Sequence, residues 1–117
     1  MLIGPQAVGA HVDHVAVYSA IERCGLPSCL WLDFPYSARS AHRRSPFDSE
    51  FTKCSKQILC LRDIDIAVKI DAAMTYRSQI GYQFGGAAAA AEIIKRDGAS
   101  ECLLFQNCLQ FNVIAEG

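Results

Sequence analysis

The sequence has 117 residues, of which 51% are hydrophobic and 20% are charged, and its formal net charge is −1. This size and apolar content suit a single domain with its own core, so we expect residues 1–117 to fold as one unit. The balanced charge argues against nucleic acid as a partner, because no basic face dominates. No apolar run reaches the length that crosses a membrane.

The start of the chain and its cysteines predict where the protein resides. Gly4 and Pro5 interrupt the apolar start before a secretory core can form, so we predict a cytoplasmic protein. None of the six cysteines stands in a Cys-x-x-Cys pair. We therefore expect reduced and mostly buried thiols rather than disulfides or metal ligands. The cysteines are Cys24, Cys29, Cys54, Cys60, Cys102 and Cys108.

Apolar periodicity and turn residues predict helices that alternate with short strands. The first helix is the clearest, because Val17 and Ile21 recur at helical spacing and Gly25 is a typical helix end. The predicted elements in chain order are a strand end or loop at 2–8, a helix at 14–24, a strand at 29–32, a long loop at 37–57, a strand at 58–61, a helix from 63 or 65 to about 82, a helix at 87–96, and strands at 101–105 and 108–114.

Two of the three histidines lie three residues apart, in the segment Gly9-Ala10-His11-Val12-Asp13-His14. If a helix begins at Asp13 or His14, both imidazoles can face one cavity. Neutral imidazole nitrogens with a carboxylate nearby are the groups that a metal site needs. The alternative is a helix start at which Asp13 caps the first turn and both histidines are solvated or half-buried.

Three separated motifs follow one another in a definite order. His-x-Asp-His opens a helix, Asp33-Phe34-Pro35-Tyr36 follows a strand, and Lys69 precedes Tyr76-Arg77-Ser78-Gln79 on a later helix. With this order, roughly residues 5–84 resemble the zinc-dependent deacetylases of the PIG-L (LmbE-like) family. The resemblance implies a Rossmann-like α/β fold and hydrolysis of N-acetyl groups, typically on glucosamine-containing substrates.

The resemblance also implies a role for each matching residue. His14 is implied to be a zinc ligand, and His11 to protonate the leaving amine or stabilise the oxyanion. Asp13 is implied to orient a histidine. This chemistry is physically reasonable, because a histidine exchanges a proton near neutral pH and a Lewis acid polarises an amide carbonyl. Substrate binding, or a packing and capping role beside the site, is implied for Tyr76, Ser78 and Gln79.

One family signature is missing from this sequence. The family carries an earlier Ala-His-Pro-Asp-Asp-Glu segment, which supplies the other two zinc ligands and the general base, and no such segment occurs here. We therefore expect a partial Rossmann-like α/β fold that lacks the first strand–helix unit and has an open sheet edge. A catalytic zinc takes three protein ligands and a water. The chain is thus predicted to be the C-terminal part of a deacetylase, either truncated or diverged.

Two functions follow from this sequence. The first is a zinc-dependent amide hydrolase that acts on an N-acetylated amino sugar, with an incomplete site as it stands. The alternative is a non-catalytic subunit or interaction module derived from such an enzyme, which would associate with a companion chain or a second copy of itself. In a third possibility, His42, a cysteine or an aspartate from another copy completes the metal site.

Overall fold

The computed structural model describes residues 1–39 and 44–108. Within these residues the chain forms a mixed α/β fold with one four-stranded sheet and five α-helices. The strands are β1 (Leu2–Pro5), β2 (Ser28–Trp31), β3 (Ser55–Cys60) and β4 (Ser100–Gln106), and the helices are α1 (Val12–Cys24), α2 (Asp48–Phe51), α3 (Asp63–Met74), α4 (Arg77–Phe84) and α5 (Ala87–Asp97).

The sheet has the strand order β1-β2-β4-β3. β1 and β2 are parallel, which requires a crossover connection, and α1 supplies it. β4 lies antiparallel between β2 and β3, with Leu30 opposite Leu104 and Ile58 opposite Cys102. The expected α/β class is therefore present. Two of the three strand pairs are antiparallel, and the finer Rossmann-like layout stays a prediction.

The first helix begins slightly earlier than predicted, at Val12. His11 is its N-cap residue, and the His11 ring nitrogen Nδ1 accepts a hydrogen bond from the Asp13 backbone N–H at 3.3 Å. Asp13 was expected to be a possible cap, but it stands one residue inside the helix. The helix ends as predicted at Gly25, which takes the left-handed conformation with φ of 62°.

An apolar core between α1 and the sheet is formed by Tyr18, Ile21, Leu30 and Leu104. The Tyr18 ring packs against Phe47 with ring centroids 4.4 Å apart. Each such side chain contributes roughly 1.5–3 kcal/mol when it is removed from water. This cluster therefore holds α1 on the β1–β2 pair. The packing of α1 also fixes where the loops that follow β1 and β2 lie.

Two predicted segments have more structure, or different structure, than expected. The predicted loop 37–57 contains α2 and the start of β3, and a short 3-10 helix covers Tyr36–Ala38. The predicted long helix after Asp63 is divided into α3 and α4. The break lies at Thr75, whose hydroxyl donates to the Ala72 carbonyl at 2.7 Å, and at Tyr76, whose ψ of 56° is not helical.

The six cysteines form no disulfide in this structure, and most of them are not buried, contrary to the prediction of mostly buried thiols. Only Cys29 is buried, whereas Cys24 and Cys60 are exposed. Cys24 ends α1 beside an exposed turn, and Cys60 lies on β3, all six residues of which are exposed. His42 and most of the predicted strand 108–114 fall outside the described residues. In the described ranges no helix is both long and apolar enough to cross a membrane.

Candidate active site

The loops that follow β1 and β2 meet at one edge of the sheet, because the two strands are parallel neighbours. The Gln6 backbone N–H donates to the Trp31 carbonyl at 2.9 Å, and the Gln6 side chain donates to the Leu30 carbonyl at 3.0 Å. The Ser45 hydroxyl donates to the Gln6 carbonyl at 2.6 Å. These bonds fix the two loops to each other. Ligands commonly bind at the carboxyl ends of parallel strands.

The loop between β1 and α1 has an unusual backbone. Ala7, Gly9 and Ala10 have positive φ values of 58°, 85° and 55°. For an alanine this conformation costs of the order of 1–3 kcal/mol, and strain of this kind is concentrated at functional sites. Gly9 also permits a close approach, because a Cβ placed there would lie 3.0 Å from the Tyr36 Cβ. The loop is therefore shaped to bring His11 up to the turn after β2.

The two histidines and one tyrosine form a cluster of rings at this edge. The ring centroids of His11 and His14 are 5.2 Å apart, and Tyr36 lies 5.6 Å from each of them. The Tyr36 ring stands almost perpendicular to that of His14, at 87°. The structure thus brings the predicted histidine pair together with a tyrosine from the turn after β2.

His14 lies beside a buried carboxylate. Its ring nitrogen Nδ1 is 3.7 Å from Oδ2 of Asp33, whose side chain is completely buried. The same Oδ2 accepts a hydrogen bond of 2.6 Å from the Val8 backbone N–H. Burial raises the pKa of Asp33 above its ordinary value, and the nearby His14 and the Val8 N–H oppose that rise.

His11 has a different carboxylate neighbour. Its Nδ1 is 3.9 Å from Oδ2 of Asp13, whose side chain is 81% exposed. Asp13, which was predicted to orient a histidine, therefore lies in solvent beside His11, while the buried carboxylate near His14 is Asp33. Sequence reasoning assigned no site role to Asp33 or Tyr36, although both stand in the quoted Asp-Phe-Pro-Tyr motif. The sequence feature that could have indicated Asp33 is the position of an aspartate directly after a predicted buried strand.

The predicted substrate-binding residues lie at the start of α4. Tyr76 is 68% exposed, and Ser78 and Gln79 are exposed as well. Among the described residues, no side-chain hydrogen bond, ion pair or ring contact joins these three to either histidine. The far end of α4 is the part that approaches the histidine cluster.

Two contacts link α4 to the turn that carries Asp33 and Tyr36. Arg39 packs over the Tyr36 ring at 5.3 Å and donates to the Gln83 side chain at 2.7 Å. The Phe34 and Phe84 rings are 6.0 Å apart. The α4 helix therefore supports this turn from outside through its last residues.

Lys69, which belongs to the motifs that carry the resemblance, contacts the same turn from α3. Its Nζ lies 5.2 Å from the centre of the Phe34 ring and 2.5 Å from Oε1 of Glu101. It also donates to the Gly98 carbonyl at 3.0 Å. The described contacts of Lys69 therefore hold the Phe34 side of the turn against β4.

The residues of the described ranges do not form a complete metal site. Over 1–39 and 44–108 there is no group of three or more histidine, cysteine, aspartate or glutamate side chains that could hold an ion. A catalytic zinc normally needs three protein ligands. His14 can supply one nitrogen, so the chemistry of this donor set fits a metal only if other groups complete it.

The fold is similar to that of a solved deacetylase structure. No protein-family model matches the chain, and no curated protein matches it. The crystal structure of the zinc-inhibited form of teicoplanin deacetylase Orf2 is similar, with a TM-score of 0.55 and 20% identity over 88% of this chain and 43% of that chain. The chain therefore spans less than half the length of that structure. At this identity the likeness establishes a fold similar to that of a deacetylase.

Proposed function

We propose that the chain carries part of the active site of a metal-dependent deacetylase, an amide hydrolase that acts on N-acetylated amino sugars. The observation that carries this proposal is the His11–His14 pair at the carboxyl ends of β1 and β2, on a fold similar to that of a deacetylase. The amino-sugar substrate follows from the motif resemblance alone. The exposed start of α4, with Tyr76, Ser78 and Gln79, is the proposed contact surface for the rest of the substrate.

His11 is the proposed acid. Its side chain is 38% exposed, so water and substrate can reach it. Because Nδ1 accepts from the Asp13 N–H, the neutral ring carries its proton on Nε2. An N–H at Nε2 can donate to a developing oxyanion, and a protonated ring can deliver a proton to the leaving amine.

His14 is the proposed metal ligand, and zinc is the proposed ion. A bound zinc ion supplies Lewis-acid polarisation of an amide carbonyl. The described residues complete no ligand set around His14. The proposal therefore requires further ligands from outside those residues or from another chain.

The experiment distinguishes the roles of His11 and His14 by measuring two quantities, the zinc affinity of the protein and the release of acetate from N-acetylglucosamine. We expect His14→Ala to weaken zinc binding at least tenfold, since it removes a direct ligand. We expect His11→Ala to leave zinc binding unchanged and to lower acetate release by about 10²-fold or more, the usual contribution of a general acid. Gln57→Ala on the exposed strand β3 is the control and should change neither. Equal zinc affinity in the wild type and His14→Ala would overturn the metal assignment.

A second candidate function is an interaction subunit. Among the described residues β1 pairs only with β2, which leaves its other side open, and Ile3 and Val12 nearby are 66% and 73% exposed. Unpaired strand edges promote association with another chain. We expect the purified protein to associate in light scattering at high concentration and Ile3→Lys to prevent this. Ile64→Lys is the control, because Ile64 is 64% exposed on helix α3 rather than on a strand edge, and a monomeric wild type would contradict this candidate.

A further inference from the structure

Two buried polar atoms of the candidate site lack a hydrogen-bond partner among the described residues. They are Nδ1 of His14 and Oδ1 of Asp33. An unpaired buried polar group costs about 1–3 kcal/mol, and a buried charge costs more unless it is paired. A carboxylate buried without a full set of partners is therefore unfavourable for folding, which points to a role in the site.

The spacing of the two groups is close to that of a hydrogen bond. Nδ1 of His14 and Oδ2 of Asp33 are 3.7 Å apart, about 0.5 Å beyond the usual limit for N–H···O. The His14 side chain is 30% exposed, whereas Asp33 is fully buried and accepts a hydrogen bond from the Val8 N–H. Catalytic hydrogen bonds are often long in ligand-free structures and shorten when the site is filled.

We propose that Asp33 is a positioning residue for His14. Its carboxylate accepts a hydrogen bond from Nδ1–H, which holds the neutral ring in the tautomer that has a free lone pair on Nε2. A carboxylate behind a histidine fixes the tautomer and the orientation of the ring in this way. The use of that lone pair for a metal rests on the proposed function, but the tautomer itself does not.

The proposed tautomer of His11 is the opposite of that of His14. Nδ1 of His11 also has a carboxylate nearby, Oδ2 of the exposed Asp13 at 3.9 Å, but it already accepts from the Asp13 backbone N–H at 3.3 Å, so its neutral ring carries the proton on Nε2. Neighbouring imidazoles with centroids 5.2 Å apart therefore present different groups, a lone pair on His14 and an N–H on His11. This difference suits one ring to bind an electrophile and the other to donate a proton.

The experiment is a ¹H–¹⁵N long-range correlation spectrum of the ¹⁵N-histidine-labelled full chain, recorded at a pH where the rings are neutral. The tautomer of each ring is read from its two nitrogen shifts, and the His14 signals are assigned from their loss in His14→Ala. We expect protonated Nδ1 on His14 and protonated Nε2 on His11. A wild-type His14 with its proton on Nε2 would overturn the proposal without any carboxylate variant.

Variants at Asp33 test the cause. Asp33→Ala removes the acceptor and should abolish the preference of His14 for the Nδ1–H form, and Asp33→Asn, which keeps the size of the side chain, should weaken it. Asp13→Asn makes the same change beside the other histidine and should leave His14 unaltered. A folded Asp33→Ala protein that retains the Nδ1–H form on His14 would contradict the proposal.

Zinc affinity separates this inference from the proposed function. If Asp33 positions a metal ligand, Asp33→Asn should weaken zinc binding about 10- to 100-fold. If the His14 tautomer depends on Asp33 but zinc affinity is unchanged by substitution of either Asp33 or His14, the positioning role is upheld and the metal site is rejected. Zinc affinity that depends on His14, with a tautomer indifferent to Asp33, would reject the positioning role alone.

Discussion

The two edges of the sheet have similar apolar content but differ in burial. On the β1 side, α1 covers the strands, and Tyr18 and Leu30 are completely buried. On the β3 side all six strand residues are exposed, and Ile58 and Leu59 are 57% and 41% exposed. The histidine cluster lies on the covered side. Its polar groups are thus held by a packed core, as a site that needs defined geometry requires.

The reason for the difference is which surface each helix covers. α1 packs on β1 and on Leu30 and Leu104 of the neighbouring strands, while α3 and α4 pack chiefly on α5. Two apolar residues of α3, Ile64 and Val68, remain 64% and 62% exposed. Apolar character alone therefore did not decide burial in this chain, and the following predictions test the contrast between the two sides.

The largest expected effect is the loss of a core leucine. Leu30→Ala on β2 should lower the free energy of unfolding by about 2–5 kcal/mol, because it removes a fully buried side chain and leaves a cavity. Leu59→Ala makes the same change on β3, where the side chain is 41% exposed, and should cost less than about 1 kcal/mol. Urea unfolding measures both values. Equal losses would show that the β3 side is also packed.

A second prediction concerns the core at high pH. Burial, and next the charge of Glu22, raise the pKa of Tyr18 to about 12 from 10.0 in the unfolded chain. Between these values the folded protein keeps a proton that the unfolded chain loses, so stability falls as the pH rises through that window. The loss approaches about 2–3 kcal/mol at its upper end, at 1.36 kcal/mol for each unit of pKa.

The measurement is urea unfolding at several pH values between 10 and 12. Tyr18→Phe should reduce the decline in stability, since it removes the titrating group. Tyr82→Phe is the control, because Tyr82 is 84% exposed and its loss should leave the decline unchanged. A decline of the same size in Tyr18→Phe and wild type would place its cause elsewhere.

The smallest effect compares two glycines. A Cβ at Gly4 of β1 would collide with Cδ1 of the buried Ile21, so Gly4→Ala should cost about 1–3 kcal/mol through overpacking. Gly81 lies inside α4, and no atom of the described ranges would lie within 4 Å of a Cβ placed there. Gly81→Ala should therefore stabilise the protein by about 0.5–1 kcal/mol. Thermal unfolding distinguishes the two signs, and a neutral Gly4→Ala would show that α1 can shift on β1.

Elements whose formation depends mainly on the residues within them were predicted correctly. The helix over residues 14–24 agrees with α1, because its apolar spacing and Gly25 are local signals. The helix predicted at 87–96 agrees with α5 within one residue, because alanine strongly favours helix. The helix boundary at Thr75 was missed, since no glycine or proline marks it.

The candidate site was predictable only in part. Proximity of His11 and His14 follows from three residues of spacing at a helix start, and the structure shows it. The buried partner of His14 was not foreseen, because Asp33 is distant in sequence and its burial depends on β1, β2 and α1 packing together. The predicted roles of His11, Asp13 and His14 in catalysis and metal binding stay predictions.

Local signals along the chain were enough to predict the α/β class, most helices and strands, and the adjacent histidines, because these depend on short-range periodicity and helix-end residues. Three features could be read only from the folded chain: β4 lies between β2 and β3, β3 is exposed, and each histidine has a different carboxylate neighbour. Those features depend on contacts between distant segments, whose free energies arise from packing and burial rather than from local propensity.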